Sequence, residues 1–166
     1  NSVANGRIYR HTPFRSVYIQ SAAGDAGGAI GAAFAVAAER GVVHEPFHMD
    51  HAYWGPEFDD EYMGALCAKE NEALDREGCA VRRIESEADL VQAVALAIDR
   101  GLVIGWFQGR MEWGPRALGN RSILADPRRA DMKQILNLKI KRRESFRPFA
   151  PSILREHVAD WFETDD

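Results

Sequence analysis

The stretch Ser86 to Arg121, SEADLVQAVALAIDRGLVIGWFQGRMEWGPRALGNR, carries the reading of the fold. Ser86, with Asp89 three residues later, has the spacing of a capping box, in which the serine side chain takes a backbone N–H of the first helical turn. Leu90, Val94, Leu96, Ala97 and Ile98 follow as the apolar positions of a helix running up to Gly101. Leu102 to Phe107 is then a continuous apolar run, the pattern of a strand buried on both faces. A polar, glycine-rich loop comes next. Helix, buried strand and polar loop in that order predict α/β architecture.

Working outward, Ser16–Gln20 reads as a strand, Ser21–Asp25 as a glycine turn, and Ala26–Arg40 as a helix closed by Gly41. That helix is apolar nearly all round, through Ile30, Ala33, Phe34, Ala37 and Ala38, and so needs a larger body to bury it. Residues 41–62 show no clear period and suggest a linker, with a helix following from about Asp59 to Arg76 and a short strand at Arg82–Ile84. Beyond the arginine loop, Ser122–Ala125 predicts a strand ended by Asp126-Pro127. A basic helix is expected from Ala130 to Arg143. Phe146 to Pro151 must be extended, because each residue before a proline is pushed out of the helical region. A last helix with Leu154, Val158, Trp161 and Phe162 begins near Ser152.

The composition, 46% hydrophobic and 28% charged over 166 residues, suits a folded domain and argues against disorder. A chain that starts at Asn1, with no targeting pattern, is expected to be cut from something longer. Cys67 and Cys79 lack CxxC spacing, so neither a disulfide framework nor a zinc ribbon is indicated. They read as buried thiols in a reduced, cytoplasmic setting. No apolar run is long enough for a membrane span. The net charge of −4 hides an uneven distribution, because residues 110–155 hold 12 basic and 4 acidic side chains.

Three constellations carry chemistry. In Gly24-Asp25-Ala26-Gly27-Gly28, the glycines would let backbone N–H groups approach an anion at a helix start, and Asp25 could hold a metal or a reacting hydroxyl. Alternatively, Asp25 only caps the helix and the glycines only permit tight packing. Arg110, Arg116 and Arg121 sit on the loop that leaves the strand, where ligands meet open α/β sheets. They form either an oxyanion clamp or a solvated set with local ion pairs to Glu112 or Asp126. In the third, KIKRR at 139–143 followed by Phe146-Arg147-Pro148-Phe149, winding the helix puts Met132, Ile135, Leu136 and Ile140 on one face and Lys141 nearly opposite, in solvent. Arg147, fixed between two phenylalanines, is the better placed for an anion. His44, His48 and His51 with Asp50 match no familiar zinc spacing, and Pro46 breaks any continuous helical face through them.

Taken together, NSVANGR at 1–7, TPFRSVYIQSAAGDAGGAIGAA at 12–33, HAYWGPEF at 51–58, GWFQGRMEWGPRALGNRSILADPR at 105–128 and KRRESFRPFAPS at 141–152 resemble the NodU/CmcH carbamoyltransferases. The resemblance implies a longer enzyme with two bodies. One is an actin/hexokinase-like (ASKHA) body that binds iron through two histidines and an aspartate and transfers a carbamoyl group to a hydroxyl of a small molecule or glycan. The other is a YrdC-like α/β body that makes carbamoyladenylate from carbamoyl phosphate and ATP. On this basis residues 1–40 are the tail of the transfer body, 41–79 a linker, and 80–166 an incomplete YrdC-like domain. Asp25 then matches the iron-binding aspartate, with the two histidines expected before Asn1. Gly27 and Gly28 belong to the cofactor-binding turn. Arg116, Lys141 and Arg147 match the catalytic cations that hold carbamoyl phosphate and the nucleotide. The resemblance also implies that this piece alone does not complete the reaction.

Two rival readings differ in class. A nucleic-acid-binding YrdC-like module would use the basic 110–155 segment and lose affinity steeply with salt. Against it, Trp106, Phe107, Trp113, Phe146 and Phe149 form no regular stacking platform. A non-catalytic interaction domain would use the arginine loop only to pack against a partner.

Overall fold

The computed structural model describes residues 1–42 and 47–163; His44 and Pro46 fall outside that range. The chain is α/β, with helices and one two-stranded antiparallel sheet. It forms two compact units, Asn1–Arg82 with Trp106–Ser122, and Arg83–Gly105 with Ile123–Asp166.

In the first unit, α1 (Ser2–His11) is a helix the sequence reading did not assign, capped by the Asn1 side chain, which accepts from Ala4 N at 3.2 Å. Residues 16–20 carry no regular secondary structure and do not form the expected strand. A strand exists only as a partner to another, and no other backbone pairs with this one among the described residues; instead the Tyr18 hydroxyl donates to the Met49 carbonyl. The expected helix follows as α2 (Asp25–Glu39), with no fully buried residue. Its Phe34 stacks on Phe47 and stays partly exposed. The 59–76 helix is two helices, α3 (Asp60–Lys69) and α4 (Asn71–Arg76), separated at Glu70. Asp59 caps the first, accepting from Tyr62 N at 2.8 Å. Cys67 is half-buried and Cys79 exposed, so neither is the buried thiol expected.

Among the described residues Arg82–Ile84 forms no strand, whereas in the second unit α5 (Glu87–Asp99) starts as its capping spacing requires, with Ser86 Oγ accepting from Asp89 N at 3.3 Å. Strands β1 (Ile104–Phe107) and β2 (Arg121–Leu124), which fall within neither unit alone, form the two-stranded sheet. β1 alternates half-buried and exposed positions; it is not buried on both faces, because a two-stranded sheet brings no second layer to cover Gly105 and Phe107. The basic helix is shorter than expected. A single α turn, α6 (Met132–Ile135), runs into a π turn, Leu136–Ile140, closed by Lys141 N donating to the Leu136 carbonyl at 2.8 Å. The extra residue rotates the register, so Met132, Leu136 and Asn137 are buried and Ile140 is exposed. Phe146 lies in a turn and not in the expected extended run, residues 147–154 carry no regular secondary structure, and the last helix is a 3-10 turn (Arg155–His157) leading into α7 (Val158–Trp161), with Trp161 exposed.

Apolar burial is sparse. Among the described residues, the buried hydrophobic ones are Ala22 and Ala52 in the first unit and Met132 and Leu136 in the second.

Helices α4 and α5 end alike. The glycine after each C-cap has positive φ, 69° at Gly78 and 82° at Gly101, and the next residue's N–H bonds back to the third-last helical carbonyl. A Cβ on Gly78 meets open space, whereas one on Gly101 runs into the Arg129 guanidinium. Gly78→Ala is therefore expected to cost about 1 kcal/mol, the left-handed penalty alone, and Gly101→Ala more. Denaturant unfolding of the two variants checks the order.

Candidate functional site

The arginine loop between β1 and β2 is built around a carboxylate. Glu112 is buried, and its Oε1 accepts from the backbone N–H of Leu118 at 2.6 Å, Asn120 at 2.8 Å and Arg121 at 3.4 Å, while Oε2 takes Arg121 Nε at 2.9 Å. Arg121 Nη2 then donates to the carbonyls of Gly114 and Arg116. Asn120 completes the tie, donating to the Arg110 carbonyl at 2.7 Å and accepting from Gln108. The loop is thus folded onto its own interior before any ligand arrives.

This arrangement sorts the three arginines that spacing left equivalent. Arg121 is consumed by Glu112, and Arg110 approaches Glu57 at 3.8 Å. Arg116 is exposed, its carbonyl is held by Arg121, and among the described residues no ion pair engages its guanidinium. Glu112 was named in the sequence reading only as an ion-pair partner of exposed arginines. Its role as the loop's centre leaves no mark in spacing, because three of its four donors are main-chain groups.

The same loop rests on the glycine turn. Trp113 Nε1 donates to the Ala26 carbonyl at 2.9 Å, and Gly114, at φ 94°, lies so close to Ala22 that a Cβ would stand 2.9 Å from the Ala22 Cβ. Backbone bonds from Gly55 N to Met111 O and from Trp113 N to Ala52 O tie it to residues 52–55. In the turn itself, Asp25 is exposed in the first turn of α2. Gly27 is required sterically, since any Cβ would strike the Ala22 carbonyl, whereas Gly28 faces open space where a ligand could approach. Among the described residues no three His, Cys, Asp or Glu side chains are grouped to hold a metal ion. His51 stacks with Tyr53 and Trp54, and His48 meets the edge of Tyr18.

Lys141 and Arg147 belong to the second unit, Arg116, Asp25, Gly27 and Gly28 to the first. Lys141 is exposed at the end of the π turn. Arg147, half-exposed, pairs with Glu144 at 2.9 Å, and its charge helps hold the Glu144 carboxyl below the ordinary carboxylate range, behind the hydrogen bond from Glu144's own backbone. An oxyanion arriving at Arg147 competes with that carboxylate.

Burial alone would raise the Glu112 pKa, but the Arg121 side chain and the N–H groups of Leu118 and Asn120 outweigh it and hold the carboxyl at about 2, below the ordinary 4.5. With the folded value depressed, the stabilisation from the ionised carboxylate is complete above pH 4.5 and is lost as pH falls from there through about 2. Glu112→Gln, which keeps the shape and removes the charge, is expected to cost roughly 2–3 kcal/mol at neutral pH. The difference from the parent should shrink toward zero near pH 2, as measured by urea unfolding across that range.

The geometry can now be set beside known proteins. A family model described as the carbamoyltransferase N-terminus matches residues 1–34, and one described as the carbamoyltransferase C-terminus matches residues 95–166. An uncharacterised protein of Synechocystis sp. is 49% identical over 99% of this chain and 26% of its own length. The nodulation protein NolNO of Sinorhizobium fredii is 43% identical over 100% and 23%. The 3'-hydroxymethylcephem-O-carbamoyltransferase of Streptomyces clavuligerus is 33% identical over 92% and 26%. The chain thus spans about a quarter of the length of these relatives. Matched at both ends by models of one family and along its length by these proteins, the chain belongs to the carbamoyltransferase family.

Proposed function

We propose that this chain is part of an O-carbamoyltransferase that makes carbamoyladenylate from carbamoyl phosphate and ATP and passes the carbamoyl group to a hydroxyl of a small molecule or glycan. The observation that carries the reading is the Gly109–Arg121 loop, braced from within by Glu112, with the Arg116 guanidinium exposed and without an ion pair among the described residues. An unneutralised guanidinium on a preorganised loop suits a planar or tetrahedral oxyanion and needs no rearrangement to receive it. In this reading residues 1–40 end an ASKHA-like transfer body, 41–79 link it onward, and 80–166 begin a YrdC-like adenylating body, all in a cytoplasmic enzyme.

The resemblance assigns Arg116, Lys141 and Arg147 to neutralising the phosphate of carbamoyl phosphate. Water releases phosphate and carbamate. A carbamate oxygen attacks the α-phosphorus of ATP, pyrophosphate leaves, and the same cations balance the charge on the pentavalent phosphorus. The acceptor hydroxyl then attacks the carbonyl of carbamoyladenylate, losing its proton as AMP departs. Gly28, open to its surroundings, and the first turn of α2 offer N–H groups to an anion. For the iron that the resemblance implies, Asp25 offers one carboxylate and the described residues provide no grouped set of ligands around it. They do not make up a complete site.

The test uses the full-length protein, titrated with carbamoyl phosphate, ATP and a short RNA. Arg116→Ala and Arg147→Ala should each weaken carbamoyl phosphate binding at least about tenfold, the scale of a lost charge-assisted contact. RNA binding without carbamoyl phosphate binding would instead favour the nucleic-acid reading. Glu144→Gln removes the carboxylate that competes at Arg147 and should tighten carbamoyl phosphate binding a few-fold at low salt, an effect that fades as salt rises. Iron content of the Asp25→Ala protein tests the metal role, with unchanged iron removing it.

A further inference from the structure

We propose that Asn137 is the positioning residue for Arg147, its buried carboxamide tying the peptide that carries Arg147 to the π turn that ends at Lys141. The inference rests on the reading of Arg147 as an anion-binding cation.

Asn137 has 0% relative exposure and is fully buried, side chain included. Its Nδ2 donates to the carbonyls of Ser145 at 3.2 Å and of Arg147 itself at 2.9 Å, and its Oδ1 accepts from Arg143 Nε at 2.7 Å. One amide therefore spans ten residues of chain and spends both donors on main-chain carbonyls of the loop. Its own carbonyl takes Arg143 N at 2.9 Å.

Two further features converge on the same loop. Asn137 is turned inward by the π turn, a helical irregularity that recurs at functional sites. Arg142 adopts φ 48°, the left-handed region that costs a side-chain-bearing residue about 1 kcal/mol and persists only where the surroundings dictate it. Downstream, the residue before Pro148 is confined to extended ψ by the proline ring. With its carbonyl fixed by Asn137 and its ψ by Pro148, Arg147 keeps only side-chain freedom. The flanks are held as well, Ser145 through its carbonyl and Phe149 beneath the Arg143 guanidinium at 4.8 Å from the ring centre. An arginine delivered from so fixed a backbone loses little further entropy when it closes on an anion.

The test is a double-mutant cycle in the full-length protein, read as carbamoyl-phosphate-dependent ATP–pyrophosphate exchange, with folding checked by circular dichroism and thermal unfolding. Asn137→Ser, which keeps one hydroxyl donor, and Asn137→Ala should raise KM for carbamoyl phosphate, the alanine variant by about tenfold and the serine variant by less. Neither should change KM further in an Arg147→Ala background. An equal effect with and without Arg147, an unchanged KM in folded variants, or loss of the fold in both would overturn the positioning role. A KM for carbamoyl phosphate left unchanged by Arg147→Ala alone removes the cation on which the inference rests, whereas no exchange by the parent at all is a failure of the proposed activity and not of Asn137.

Discussion

The arginine loop depends on one buried carboxylate. Glu112 sits where a short apolar side chain would be expected, beneath a loop that must turn back on itself within the thirteen residues between β1 and β2. Desolvating a carboxylate is unfavourable unless the lost water is replaced, and here Leu118, Asn120 and Arg121 replace it with main-chain N–H groups and a guanidinium. The exchange serves both sides. The carboxylate stays ionised, and N–H groups that would otherwise be stranded in a tight loop find an acceptor.

The second unit uses the same device with a neutral amide. Asn137 takes the place of Glu112, and backbone carbonyls take the place of backbone N–H groups. Asp126 is a third case, accepting from Arg128 N at 2.9 Å and Arg128 Nε at 2.8 Å while Arg128 reaches Asp99 at the end of α5. Each of these three buried polar groups fixes a loop that carries or adjoins basic residues. In each case directional hydrogen bonds hold the loop in place. They also leave the neighbouring cations differently engaged, with Arg121 and Arg128 committed to carboxylates and Arg116 and Lys141 exposed.

How much of this was legible can be judged from particular residues. The Ser86 cap, helices α2 and α5, strands β1 and β2 and the non-helical run through Pro148 and Pro151 were readable, since each follows from local capping, periodicity or proline geometry. Ser16–Gln20 and Arg82–Ile84 have strand-forming composition yet make no ladder, because pairing requires a second strand and composition reports only one. The helical wheel through 130–143 failed at Ile140 because it assumed a constant 3.6-residue turn, and the π turn inserted one residue. Neither Asn137 nor the structural part played by Glu112 could be inferred, since their partners are main-chain atoms six to ten residues away.

The sequence by itself determined the class of architecture, the family, and which basic residues are candidates for an anion. Those properties reside in residue identity and order, which local sterics and recurring strings report directly. Only the tertiary structure decided which of three arginines in one loop is left uncommitted and which buried side chains hold the loops in place. Those outcomes depend on where a carboxylate or an amide meets backbone groups in space, and burial decides whether such a meeting shapes the fold or is dissolved by water.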